Sequence, residues 1–252
     1  MVSGAVLFSV GGLALVRKRV SPETLRENHD VAGFILAIVG VIYAVLLAFV
    51  VLVVWERYGE AEVVAAREAN AVVDIYRLAP GFSTQSKLKI RAHVRQYAQS
   101  VVQKEWPTMA RGEADDATSH VLDNLWTECI HTNITKPNES ELLGQLLDRM
   151  TDISDNRRMR LLASRTGVPN AMWLVLIAGA VATITFTFYF GLDRFSIQAG
   201  MTAILAVVIA LVLFLISALN YPFTGDLRVR PEAMEIAIER YKTIDAHEAR
   251  RP

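Results

Sequence analysis

The chain has 252 residues, 52% of them hydrophobic and 21% charged, with a mean hydropathy of +0.30. That balance suits a membrane protein better than an ordinary soluble domain. Lys+Arg (26) and Asp+Glu (26) cancel, so no global field draws the protein to nucleic acid. A single cysteine excludes an internal disulfide framework and any Cys-rich zinc or iron–sulfur site.

The first apolar run, residues 2–16, makes a helix of about 22 Å. Arg17, Lys18 and Arg19 follow it, with no positive charge in front and no small-residue cleavage site behind. It reads as a short retained helix, not a signal peptide. Residues 31–55 are uncharged and span about 37 Å, against a hydrocarbon core of about 30 Å. Residues 171–190 and 197–219 carry only Ser, Thr and Gln as polar side chains. The reading is an all-α integral membrane protein with four transmembrane helices: two in residues 1–55 and two in 169–220.

Between the two pairs, residues 56–168 form a helical extramembrane domain. Pro80-Gly81 breaks the helix leaving the membrane, Trp106-Pro107 ends a second, and Lys136-Pro137 separates a third from a fourth. Val121, Leu122, Leu125, Trp126, Cys129 and Ile130 form one apolar stripe; Leu142, Leu143, Leu146, Leu147, Met150 and Ile153 form another. Asn138 and Glu141 suggest a capping box at the fourth helix. The tail, 221–252, resumes after Tyr221-Pro222-Phe223 with a short amphipathic helix behind Pro231, bearing Met234, Ile238 and Tyr241.

The signals for orientation disagree. Arg17, Lys18, Arg19, Arg26 and Arg194 lie on the loop side, and the first helix usually dominates. Arg57, Arg67, Arg157, Arg158, Arg160, Arg165, Arg228 and Arg230 outnumber them on the domain side, which favours a cytoplasmic domain.

On the second helix, Gly33, Ala37, Gly40, Ala44 and Ala48 share one arc, where small residues let another helix approach closely. The opposite arc carries Ile35, Ile38, Ile42, Leu46, Phe49 and Val53. These bulky side chains either face lipid or, in a ring of subunits, line an apolar constriction. No Asp, Glu, Lys, Arg or His lies within any span, which argues against proton relays, coupled transporters and voltage sensors. Thr183, Thr185 and Thr187 cannot share one narrow face and read as backbone-bonded or helix-bridging.

The histidines are scattered, and His120, Cys129 and His131 match no zinc spacing. Asp115-Asp116 precede a helix and lack the ligands of a calcium loop. No phosphate loop, nucleophile elbow or paired-carboxylate pattern is present, so the reading is not an enzyme and needs no cofactor or metal. Two sequons, Asn133-Ile134-Thr135 and Asn138-Glu139-Ser140, occur at chance frequency. Arg157, Arg158, Arg160 and Arg165, just before the third span, read as an anion or lipid-headgroup cluster.

One set of residues has a family likeness. Val39-Gly40-Val41-Ile42-Tyr43-Ala44-Val45-Leu46-Leu47-Ala48-Phe49 with Trp55, then Tyr97, Glu105-Trp106-Pro107, Asn156-Arg157-Arg158, Trp173 and Tyr221-Pro222-Phe223-Thr224-Gly225 resemble the bacterial bestrophin-like family. The likeness covers nearly the whole chain. It implies a homo-oligomer, pentameric by analogy with bestrophin anion channels, in a bacterial inner (plasma) membrane, conducting ions past the second helix. The chain is shorter than bestrophins and lacks their acidic calcium clasp, so calcium activation does not carry over. The alternative is a non-conducting membrane-anchored helical sensor or scaffold.

Overall fold

A computed structural model describes residues 2–20, 29–134, 137–192 and 194–250. Arg26, Thr135 and Lys136 lie outside the described residues. Among the described residues there is no strand. The helices are α1 (Val2–Arg19), α2 (His29–Leu78), α3 (Thr84–Ser100), α4 (Asp116–Ile130), α5 (Pro137–Arg165), α6 (Asn170–Phe186), α7 (Phe195–Leu219) and α8 (Glu232–Glu248). Three of them, α2, α6 and α7, are long and apolar enough to cross a membrane. The fourth expected span, α1, has 18 residues and ends in Arg17, Lys18 and Arg19.

The chain divides into two compact units, Met1–Glu56 with Val168–Asn220, and Arg57–Gly167 with Tyr221–Pro252. In the first unit α1 packs on α7 and α6. Gly12 is required there, because a Cβ would stand 2.7 Å from the Phe188 ring. The membrane part of α2 meets α6 where the Tyr43 hydroxyl donates to the Leu176 carbonyl at 2.9 Å. Gly179 makes that crossing possible, since a Cβ would lie 2.5 Å from the Tyr43 ring. Thr183 Oγ1 donates to the Gly179 carbonyl at 2.8 Å, and Thr187 Oγ1 to the Ile184 carbonyl and Thr202 Oγ1. Hydroxyls in an apolar span find partners in this way because lipid offers none.

The second unit is built around the remainder of α2. Its inner stripe of Ala61, Ala65, Val72, Ile75 and Tyr76 packs with Ile90, Val94 and Tyr97 of α3, Leu122 and Leu125 of α4, and Leu146, Met150 and Ile153 of α5. Both apolar stripes read from sequence face this core, although Ile130 at the end of α4 is exposed. Asp115 caps α4, its carboxylate accepting from the Thr118 N–H at 2.7 Å.

Two breaks differ from the sequence expectation. Trp106-Pro107 does not end a helix. A π-turn, Val101–Glu105, follows α3 and leads straight into the helical turn Trp106–Met109, with the Trp106 N–H bonded to the Val101 carbonyl. Pro107 has no N–H to lose, and at the start of a turn none is needed. The α5 helix starts at Pro137, so Asn138 lies inside its first turn and is not the cap expected from sequence. The tail closes the unit: Phe223 meets Trp106 edge-on at 5.6 Å between ring centroids, and Trp106 Nε1 donates to the Val229 carbonyl at 3.1 Å.

Candidate functional site

Two features carry the chemistry of the chain: the surface of α2 in the first unit and a buried ionic network in the second. The α2 run is apolar all round, so its sequence does not announce an inner face. Packing chooses Tyr43, Leu47, Val50 and Val54, all buried, in a stripe at i, i+4, i+7 and i+11. The small-residue arc sits about 80° to one side of that stripe. Gly33 and Gly40 on its near edge are half-buried, while Ala37, Ala44 and Ala48 are exposed. A Cβ on Gly40 would meet nothing within 4 Å. Among the described residues no helix packs against the centre of that arc.

The bulky arc is also largely uncovered. Ile42 and Phe49 keep 66% and 63% of their surface, Ile35 and Ile38 are exposed, and Leu46 is half-buried. The line directly opposite the packing stripe runs through Phe34, Ile38, Val41, Val45, Phe49 and Leu52, each exposed. Ile38 and Phe49 therefore lie on the outermost face, Ile42 beside it, and Ile35 and Leu46 are turned toward the flank. Phe34, Val41, Val45 and Leu52 were not distinguishable from sequence, because only the buried stripe defines what is opposite to it.

The four arginines expected to form one cluster separate. Arg160 is fully buried. Its Nε and Nη2 donate to Glu68 Oε2 and Oε1 at 2.7 and 3.0 Å, and Nη2 also reaches Glu105 Oε2 at 2.7 Å. The guanidinium lies over the Trp106 ring, 5.0 Å from its centroid. Arg157 Nε donates to both Glu105 oxygens at 3.1 and 3.2 Å, and its Nη2 to Ser119 Oγ at 2.9 Å. Tyr97 completes the set, its hydroxyl donating to Glu68 Oε1 at 2.7 Å. Arg158, by contrast, is exposed with a 3.7 Å pair to Asp155, and Arg165 donates to the Gly112 carbonyl at 3.0 Å.

Arg160 thus offers no surface to a headgroup or an anion, which corrects the sequence expectation. The reason is periodicity. The inner stripe of α5, Leu146, Met150 and Ile153, continues in the same 4-3-4-3 rhythm to Arg157, Arg160 and Ser164. Arg158 and Arg165 fall off it.

Two arginines and two glutamates cancel, and each buried carboxylate is shared. Burial alone would lower the Arg160 pKa, but Glu68 and then Glu105 outweigh it and move it upward. Burial first, then the Glu68 charge, pushes the Tyr97 phenol well above its ordinary value. All charges in this network are locked, which suits architecture and not acid–base chemistry.

A second polar cluster holds α8 to the end of α2 and to α3. The Tyr76 hydroxyl donates to both Asp245 oxygens at 2.8 and 2.9 Å. Arg91 Nη1 donates to Glu248 Oε2 at 2.7 Å and to Asp245 Oδ1 at 3.1 Å, and Lys87 and Arg95 add pairs to Glu248 and Asp245. Tyr76 stacks on Tyr241 at 4.2 Å. Among the described residues no group of three or more His, Cys, Asp and Glu side chains is placed to hold a metal.

An all-helical chain with three spans long enough for a bilayer and a helical domain inserted between the first and second of them defines a membrane protein. A family model, the Bestrophin-like domain, matches residues 3–234, and the chain belongs to the bestrophin-like family. No curated protein matches the sequence. Among solved structures, the fold is similar to a bacterial Bestrophin homolog from Klebsiella pneumoniae in a single-substitution form. That match has a TM-score of 0.70 at 15% identity, over 95% of this chain and 97% of the other. The same homolog phased by Zn-SAD gives a TM-score of 0.69 at 15% identity, over 96% and 97%. A structure described as a membrane protein, also with one substitution, gives 0.71 at 14% identity, over 100% and 99%.

Proposed function

We propose that this chain is one subunit of a homo-oligomeric ring that conducts ions across the bacterial inner membrane, with α2 as the pore wall. The observation that carries the reading is the exposed apolar line of α2, Phe34 to Leu52, opposite its packing stripe, in a chain of the bestrophin-like family. A helix in a closed ring shows one face to its own bundle, two flanks to neighbours and one face to the lumen. The Tyr43–Val54 stripe fits the first role, and the small-residue arc with Gly40, Ala44 and Ala48 suits a close flank. The line through Ile38, Val45 and Phe49 then faces the lumen as an apolar constriction. Ile42 sits at its edge, and Ile35 and Leu46 belong to the second flank.

In this reading α1 completes four spans, the domain lies in the cytoplasm and the ring is a pentamer. Family likeness by itself favours anions. The test is the subunit count in nanodiscs by native mass spectrometry, followed by ion flux in liposomes. A closed ring with flux that rises in Val45→Ala supports the proposal. A monomer or dimer leaves no lumen, overturns it and favours the membrane-anchored scaffold.

A further inference from the structure

Where α8 meets the end of α2 and α3 in the second unit, one charged donor is left over. Arg91 keeps only 6% of its surface and lies over the Tyr76 ring, 4.4 Å from its centroid. Its Nε donates to the Tyr76 carbonyl at 3.2 Å, and its Nη1 to Asp245 and Glu248. Nη2 is buried and has no hydrogen-bond partner among the described residues. A buried N–H without an acceptor is costly, more so on a charged group. The Tyr76 ring attracts the guanidinium but offers Nη2 no oxygen. Arg91 also lines a cavity of about 480 Å³, a size that small-molecule sites share. Arg77, Thr243 and His247 line the same cavity, and all three are exposed.

We propose that this cavity binds a phosphate group, with Arg91 at its buried side and Arg77, Thr243 and His247 as further donors. A guanidinium presents its N–H groups as a planar fork that matches the oxygens of a phosphate. Glu248 is the carboxylate in the lining, and both of its oxygens are already taken, Oε1 by Lys87 and Oε2 by Arg91. In the ion pairs of this cluster Arg77, Lys87, Arg91 and Arg95 meet Asp74, Asp245 and Glu248, four cations to three carboxylates. The positive excess favours an anion. Arg77 is free to turn toward it, because its pair with Asp74 is exposed and 3.9 Å long. Bound there, a phosphate ties α8, through Thr243 and His247, to the end of α2 and to α3.

The experiment is thermal unfolding of the full-length protein in detergent, titrated with inorganic phosphate and, separately, with potassium chloride at matched ionic strength. Phosphate at about ten times its dissociation constant raises the wild-type midpoint by about 3–5 °C, and chloride does not. Arg77→Gln, a change at an exposed position, weakens phosphate binding by about three- to tenfold. Arg91→Lys keeps the charge, loses the fork and weakens binding by roughly tenfold or more. No shift in wild type, an equal shift from chloride, or the same affinity in wild type and both variants overturns the site. Nanodiscs then distinguish the source of the phosphate. A response to inorganic phosphate that persists in phosphatidylglycerol supports a soluble ligand. A response kept in phosphatidylcholine but abolished in phosphatidylglycerol supports a lipid headgroup in the same site.

Discussion

Arg160 and Glu68 are both fully buried and meet edge to edge, Nε to Oε2 at 2.7 Å and Nη2 to Oε1 at 3.0 Å. They come from helices 92 positions apart in the chain. With Glu105 and Arg157 they join α2, the π-turn and α5 at the centre of the second unit.

Removing one partner strands the other as a buried charge. Arg160→Ala is expected to cost about 3–5 kcal/mol, seen as a lower thermal midpoint of the purified protein. Replacing the pair together by Arg160→Met and Glu68→Leu recovers part of that loss, because no buried charge is left unpaired, while the Tyr97 hydroxyl loses its Glu68 acceptor. A double variant no better than Arg160→Ala would show that the pair stabilises beyond its own charges.

At the α6 crossing, Gly179→Ala puts a methyl group into the Tyr43 ring. It should destabilise by about 1–3 kcal/mol and break the Tyr43–Leu176 bond. Shrinking the opposing residue, with Tyr43→Ala, relieves the clash. The double variant should therefore fall short of the sum of the single effects in thermal unfolding.

Docking of α8 depends on a neutral tyrosine. Burial, and then the bond to Asp245, raises the Tyr76 pKa from 10.0 to about 12. A raised folded-state value means stability that is complete below pH 10 and lost as the pH climbs through about 12. Tyr97 and Tyr241 shift in the same direction. Tyrosinate absorbance during alkaline titration should rise together with loss of helix, and Tyr76→Phe should weaken the coupling between the two signals.

Along α2 the faces should respond differently to substitution. Ala44→Leu, on the small-residue flank, is expected to weaken the ring, read as a shift to lower subunit counts. Phe49→Ala, on the outermost face, should leave the count intact and raise basal flux. The reverse pattern would put the small-residue arc at the lumen and Phe49 between subunits.

Much of this was legible in the linear chain because the relevant signals are local. An uncharged run such as 31–55 can only be stable as a helix in lipid, where every backbone group must bond within its own segment. The stripes of α4 and α5 follow from helical period, and read one turn further the α5 stripe would already have placed Arg157 and Arg160 inside. The short apolar α1 carried a weaker signal.

The all-helical class, the long apolar helices and the helical region between them could be read from the linear chain, since each follows from hydrophobicity and period within one segment. Which face of α2 turns inward came from packing, because a helix that is apolar all round has no preferred side until Tyr43 finds Leu176 and Gly179. Packing alone made Arg160 a structural residue and not a surface one, because the carboxylates that neutralise it arrive from 92 and 55 positions away, beyond the reach of any local pattern.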